Sequence, residues 1–318
     1  MSVEITRPGK NSLVIETPVM PASGVFGFGD VYRDLIEVDR LGAIVTNPVT
    51  FLPWNPATGT RVIPLDAGVL LHTGLPNPGL NKVIDQYRTT WKMLPVPIIV
   101  HVVATTLDHL RRGAALLDRE ETIAAIELGL HDDIGWKEAE SFVKAVTSLT
   151  EKPVLVRLPL QDSVAALDQI ARASADAGAG ALVAGAPPRG TTRDAVTGRL
   201  IGGRVYGPLV RPLALRLVGQ LAGRVTIPVI GAGGIHSAQD ARDFLEAGAV
   251  AVQVDSAVWI EPKLIEIIAR DLGGLVVTRE MGAFADEWFP GMGETTRRER
   301  LEGLSLLDAD NPPRSDNS

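Results

Sequence analysis

The chain contains no cysteine. Disulfides, thiolate metal sites, iron–sulfur ligation by its own residues and a thiol nucleophile are therefore excluded. Aromatic residues are scarce, at 5%. A core of any size must then be aliphatic, which is the palette of parallel strands covered on both faces. Positive charge is in deficit: 31 Lys and Arg face 38 Asp and Glu, for a net charge of −7. An acidic chain gains nothing from counterion release on a phosphate backbone, so no nucleic-acid partner is expected. No apolar run approaches the ~20 residues a membrane helix needs. Met1 to Lys10 shows no basic segment leading into an apolar one, so no signal peptide is expected. The expectation is a cytoplasmic protein with no membrane partner.

What the chain does have is a long aliphatic alternation. With 318 residues, 45% of them hydrophobic, it can bury a large core as one domain. Short apolar runs rich in branched residues read as strands at Val19–Ala22, Ala43–Thr46, Pro97–Val103, Thr122–Leu128, Pro153–Leu158, Gly180–Ala184, Pro228–Gly231 and Val250–Val254. Amphipathic stretches between them predict helices over 30–40, 81–93, 107–117, 136–149, 163–177, 212–222, 237–247 and 262–271. Strand and helix alternating eight times is the pattern of a (β/α)8 TIM barrel. Glycines in Leu41-Gly42-Ala43, Ala177-Gly178-Ala179 and Ala247-Gly248-Ala249 mark helix-to-strand junctions. The barrel is expected over 1–274, with a C-terminal extension over 275–318 whose Met281–Met292 stretch docks and whose last residues are disordered. Long Pro- and Gly-containing insertions, Pro48 to Pro78 and Pro187 to Pro208, follow strands two and six. In a barrel such loops cover the active site.

The clearest chemical signal is Gly231-Ala232-Gly233-Gly234-Ile235 between strand seven and a helix. Glycines there let backbone N–H groups approach an anion, and barrels commonly bind phosphate after strands seven and eight. The same glycines also suit a tight turn with no ligand.

Several stretches, in order along the chain, resemble the dihydroorotate dehydrogenase family of FMN-containing barrels. They are Pro18 to Gly27, Leu41 to Thr46, Gly74-Leu75-Pro76-Asn77-Pro78-Gly79, Gly207 to Arg216, and Ile227 through Val254. The resemblance covers roughly residues 10 to 270. It implies FMN at the strand ends, near Ala22, Ser23, Asn47, Arg157 and Gly203, with its phosphate at Gly233, Gly234, Asp255 and Ser256. It also implies a small-molecule substrate stacked on the flavin, near His72, Asn77 and His101, and a homodimer.

The departures from the family pattern are chemical. Asn47 and Arg157 stand where the family has lysines near the flavin. Gly129-Leu130-His131-Asp132-Asp133-Ile134 replaces an Asn-x-Ser-Cys-Pro-Asn run, so the base position falls on Asp132. His72, His101 and Ala186 stand where asparagines are typical. A site that reads its ligand through amides loses that ligand when the amides go. Asp255 replaces a small residue and Tyr206 a serine, beside Arg204, which is expected to offset or pair with Asp255.

Other groups read more plainly. Asp132 and its neighbours also suit the N-cap of the following helix. His72, His101 and His131 lack the spacing of a metal site, and no metal is expected. Arg189, Arg193 and Arg199 suit either an anion clamp or a solvated loop. The reading is an FMN oxidoreductase acting on a CH–CH bond of a small substrate other than dihydroorotate, with Asp132 or His131 as proton partner. The alternative is a catalytically degenerate, flavin-free barrel serving as a ligand-binding or partner subunit. A Schiff-base aldolase is disfavoured, since no candidate strand holds a lysine.

Overall fold

The computed structural model describes residues 2–160 and 164–280. Eight parallel strands form one sheet: Val19–Pro21, Ile44–Val45, Ile98–Val103, Ala125–Gly129, Val154–Arg157, Ala181–Ala184, Val229–Ala232 and Ala251–Val254. Numbered one to eight along the chain, they lie in the order 1-8-7-6-5-4-3-2. The Gly42 N–H donates to Val19 O at 2.8 Å across the remaining seam. This is a (β/α)8 barrel, as the alternation predicts. Its compact unit runs from Met1 to Val277. The expectations for Met281–Met292 and for the last residues lie outside the described residues.

The pleat sorts each strand into two faces. One face packs against the helices, with Val100, Ile126, Val156, Leu182 and Val252 fully sequestered. The other points inward. Met20, Val45, Ile99, Ala125, Leu155, Ala181, Ile230 and Ala251 form an apolar layer inside the barrel. A small antiparallel pair, Val3–Glu4 with Val14–Ile15, brings Ile5, Leu13 and Ile15 onto that layer and closes the amino end. Two residues further along strands three, four, five and eight, the inward positions are His101, Glu127, Arg157 and Gln253, all buried. The interior therefore changes from apolar to polar as it nears the carboxyl end.

Two expectations need correction. The stretch 30–40 is not an α-helix; only Val38–Arg40 forms a 3-10 turn. Tyr32 has a φ of 64°, next to Gly27 and Gly29, which are also left-handed, and this breaks the helical repeat. The two long insertions are not merely loops. They supply Val62–Leu65 and Gly68–Leu71, and Arg189–Arg193 and Leu200–Tyr206, which pair as one four-stranded antiparallel arm. Most of its residues are half-buried or exposed, so little apolar patterning marks these strands in the sequence.

Candidate active site

A cavity of about 300 Å³ opens at the carboxyl ends of the strands. Ala22, Ser23, His101, Arg157, Tyr206 and Asp255 are among the residues that line it, and His131, Asp132, Arg189 and Arg204 stand on its wall. Its size is at the lower end for small-molecule sites.

Two members of the polar layer, His101 and Arg157, line its floor, and the fully buried Glu127 and Gln253 are bonded to them. Glu127 is fully buried and would be costly to ionise alone. Its Oε1 lies 2.8 Å from His101 Nδ1 and 3.3 Å from Arg157 Nη1, while its Oε2 accepts from Gln253 Nε2 at 2.5 Å. Arg157 Nη1 also donates to Gln253 Oε1 at 2.6 Å. Burial by itself pushes the Glu127 carboxyl up. The His101 hydrogen bond, the Arg157 and His101 charges and the Gln253 amide outweigh it and hold the group at about 2. With Glu127 ionised, the proton it shares with His101 resides on Nδ1, and Nε2 is the ring position left for a ligand. Gly129 makes room for that ring: a Cβ there would sit 2.5 Å from His101 Nε2.

The sequence reading missed Glu127 and Gln253. The signal was available, since each is a polar residue inside an otherwise apolar strand, in Ala125-Ile126-Glu127-Leu128 and Ala251-Val252-Gln253-Val254. Such a residue persists when it is paired.

Asp132 stands at the rim, pinned from the arm. Arg204 Nη1 reaches its Oδ1 at 2.7 Å and Arg189 Nε its Oδ2 at 2.5 Å. Burial raises this carboxyl, and the two arginines more than reverse the effect, holding it below the usual carboxylate range. Arg204 is thus committed to Asp132 and Pro187 O, and the expected pairing with Asp255 does not occur. His131 is half exposed, with Nε2 3.6 Å from Glu138 Oε1. Tyr206 packs edge-on against Trp259, ring centroids 5.0 Å apart. Burial and the Asp255 charge push its phenol up to about 12, against the opposing charges of Arg157 and Arg204.

Gly233 and Gly234 follow strand seven with φ of 104° and 72°, in the region glycine favours. A Cβ on Gly234 would meet Arg211 N at 2.6 Å and Gly207 O at 2.9 Å. Turn geometry and packing therefore both require the glycines. The backbone N–H groups of Gly233, Gly234 and Ile235 are buried and find no acceptor among the described residues. Beside them the Nδ1 of His236 is buried without a partner, as is Asn47 Oδ1 after strand two. His236 Nε2 lies 3.4 Å from Ser256 Oγ, so the loops after strands seven and eight meet. Asp255 Oδ1 accepts from Ser256 N at 2.5 Å and from Ser256 Oγ at 3.1 Å.

Three residues expected at the site lie elsewhere or do other work. His72 lines a second cavity, of about 450 Å³, on the arm with Thr60 and Arg199, so the three imidazoles do not converge. Asn77 is buried and spends its amide on the chain. Its Nδ2 donates to Thr50 Oγ1 and Leu75 O, and its Oδ1 accepts from Gly79 N, all at 3.0 Å. Gly203 sits within the arm, where a Cβ would meet Leu71 O at 2.4 Å.

Comparison with known proteins agrees with this architecture. The family model described as dihydroorotate dehydrogenase matches residues 11–276. A dihydroorotate dehydrogenase B (NAD(+)) catalytic subunit from Geobacter sulfurreducens is 34% identical over 287 residues, covering 86% of this chain and 92% of its own. The subunit of the same name from Porphyromonas gingivalis is 36% identical over 274 residues, covering 82% and 87%. That from Shouchella clausii is 35% identical over 284 residues, covering 85% and 92%. With its strand order, its glycine turn and a match spanning nearly all of the barrel, the chain belongs to the dihydroorotate dehydrogenase family.

Proposed function

We propose that the chain is a flavin-dependent oxidoreductase of the dihydroorotate dehydrogenase type that acts on a small polar substrate other than dihydroorotate. One observation carries the reading. Buried polar atoms are left without partners where a flavin would lie: the N–H groups of Gly233, Gly234 and Ile235, the Nδ1 of His236 and the Oδ1 of Asn47. Buried polar groups in folded proteins are nearly always satisfied, so open ones after strands two and seven suit a ligand. The catalytic-subunit relatives, matched over most of their length, support redox chemistry of the same class.

FMN is the flavin that the family resemblance implies. Ala22, Ser23, Asn47 and Arg157 would border its ring, and Gly233, Gly234 and Ser256 its phosphate. When bound, the flavin supplies a hydride-accepting ring. The protein supplies the rest. Arg157, fixed by Glu127 and Gln253, presents an immobile positive charge at the floor. His101 Nε2, oriented through its Nδ1–H to Glu127, takes or returns the substrate proton. Asp132 is poorly suited to that task, because two arginines stabilise its charged form and make it a weak base. The reading away from dihydroorotate rests on the cavity wall, which among the described residues carries no Asn or Gln to read a cyclic amide.

A second reading, a flavin-free barrel that binds another ligand or a partner, is favoured by Asp255, a carboxylate placed where a phosphate would approach. One experiment separates the two. The purified protein is scanned for flavin absorbance, then titrated with FMN and with riboflavin, and the loaded form is mixed with dihydroorotate. Uptake of a flavin that dihydroorotate does not bleach is expected. Failure to take up either flavin would reject the redox reading, and bleaching by dihydroorotate would reject the altered substrate.

A further inference from the structure

Asp255 is only 3% exposed, and among the described residues it forms no ion pair. Its Oδ1 is occupied by the Ser256 N–H and hydroxyl. The groups that face it are Tyr206 and Arg157 on the cavity wall, Arg204 already held by Asp132, and His236 reached through Ser256. A buried carboxylate without a cation calls for a hydrogen-bond donor from a ligand. It also lies one residue from the loop junction where the open N–H groups of Gly233 to Ile235 would otherwise attract an anion. The strand-eight side of this junction thus repels the charge that the strand-seven side attracts.

We infer that Asp255 makes the mouth select a ligand whose polar tail ends in a free hydroxyl rather than a phosphate, so that riboflavin is bound at least as well as FMN. The inference rests on the flavin reading of the mouth. A terminal hydroxyl donates to the Asp255 carboxylate, leaving the glycine-turn N–H groups to donate to the tail's other oxygens. A phosphate in the same place sets two negative charges within a few ångströms in a partly dry site. That repulsion is enough to change affinity tenfold or more. The open N–H groups alone would favour the phosphorylated form, so the order of affinities reports on Asp255.

The test is a fluorescence titration of the full chain with riboflavin and with FMN, repeated on Asp255→Gly and Asp255→Asn. Circular dichroism and thermal melting confirm that both variants fold. The expected result is riboflavin affinity equal to or above FMN affinity in the wild type, and a gain of at least tenfold for FMN alone in both variants. Wild-type protein that binds neither flavin, with Asp255→Gly binding FMN, overturns the inference, because no hydroxyl-ended ligand is then selected. A wild type that prefers FMN tenfold, or variants that shift both flavins equally, overturns it while leaving the flavin reading intact. Absence of binding by all three proteins overturns both.

Discussion

Replacing Glu127 with Gln tests whether the polar floor is held together by one ionised carboxylate. The change keeps shape and volume but removes the charge that faces Arg157 and His101. The surroundings hold this carboxyl at about 2 instead of its ordinary 4.5. At 1.36 kcal/mol for each tenfold step, that is about 3 kcal/mol of stability at neutral pH. Deleting one partner of a buried ion pair costs a comparable ~3–5 kcal/mol, because the other charge is left unpaired. The sign follows from the lowered folded-state value. The contribution is fully present above about 4.5 and disappears as pH falls through the range from 4.5 to 2. Urea unfolding of wild type and Glu127→Gln, followed by tryptophan fluorescence, should therefore show a gap of about 3 kcal/mol at pH 7. The gap should be smaller at pH 3 than at pH 5, because only the wild type loses this contribution. A gap that stays constant across that range, or a variant as stable as wild type at neutral pH, would refute the reasoning.

Two further outcomes follow from the same geometry. Gly129→Ala places a methyl 2.5 Å from His101 Nε2, on a ring that Glu127 prevents from moving away. Overpacking of this kind costs about 1–3 kcal/mol, so the thermal midpoint should fall by several degrees; an unchanged midpoint would mean that the ring is not fixed there. In an alkaline absorbance titration, the Tyr206 phenol should ionise last, near 12, and that step should vanish in Tyr206→Phe. If the variant's titration keeps the late step, Tyr206 is not the buried phenol beside Asp255.

The barrel was legible in the sequence because its strands are short branched runs whose burial on both faces leaves an unbroken apolar signal, as in Ile98–Val103 and Val154–Arg157. The 30–40 stretch misled because its amphipathic spacing ignores the left-handed backbone at Tyr32. The arm escaped notice because antiparallel pairing of exposed strands leaves almost no mark in composition. Of the site, the glycine turn and Arg157 were readable from position. The binding of Asp132 by Arg189 and Arg204 was not, since the partners lie 57 and 72 residues away. Asn77 shows the converse: a residue in a family-like motif can owe its place to three hydrogen bonds within its own loop.

The hairpin formed by Val3–Glu4 and Val14–Ile15 makes the barrel a cup and not a pipe. Anything that enters must leave by the same opening, past the bond between Asp132 and the two arm arginines. Residence time and selectivity are then governed at one rim, and a change to the arm alters how long a guest stays without touching the chemistry at the bottom.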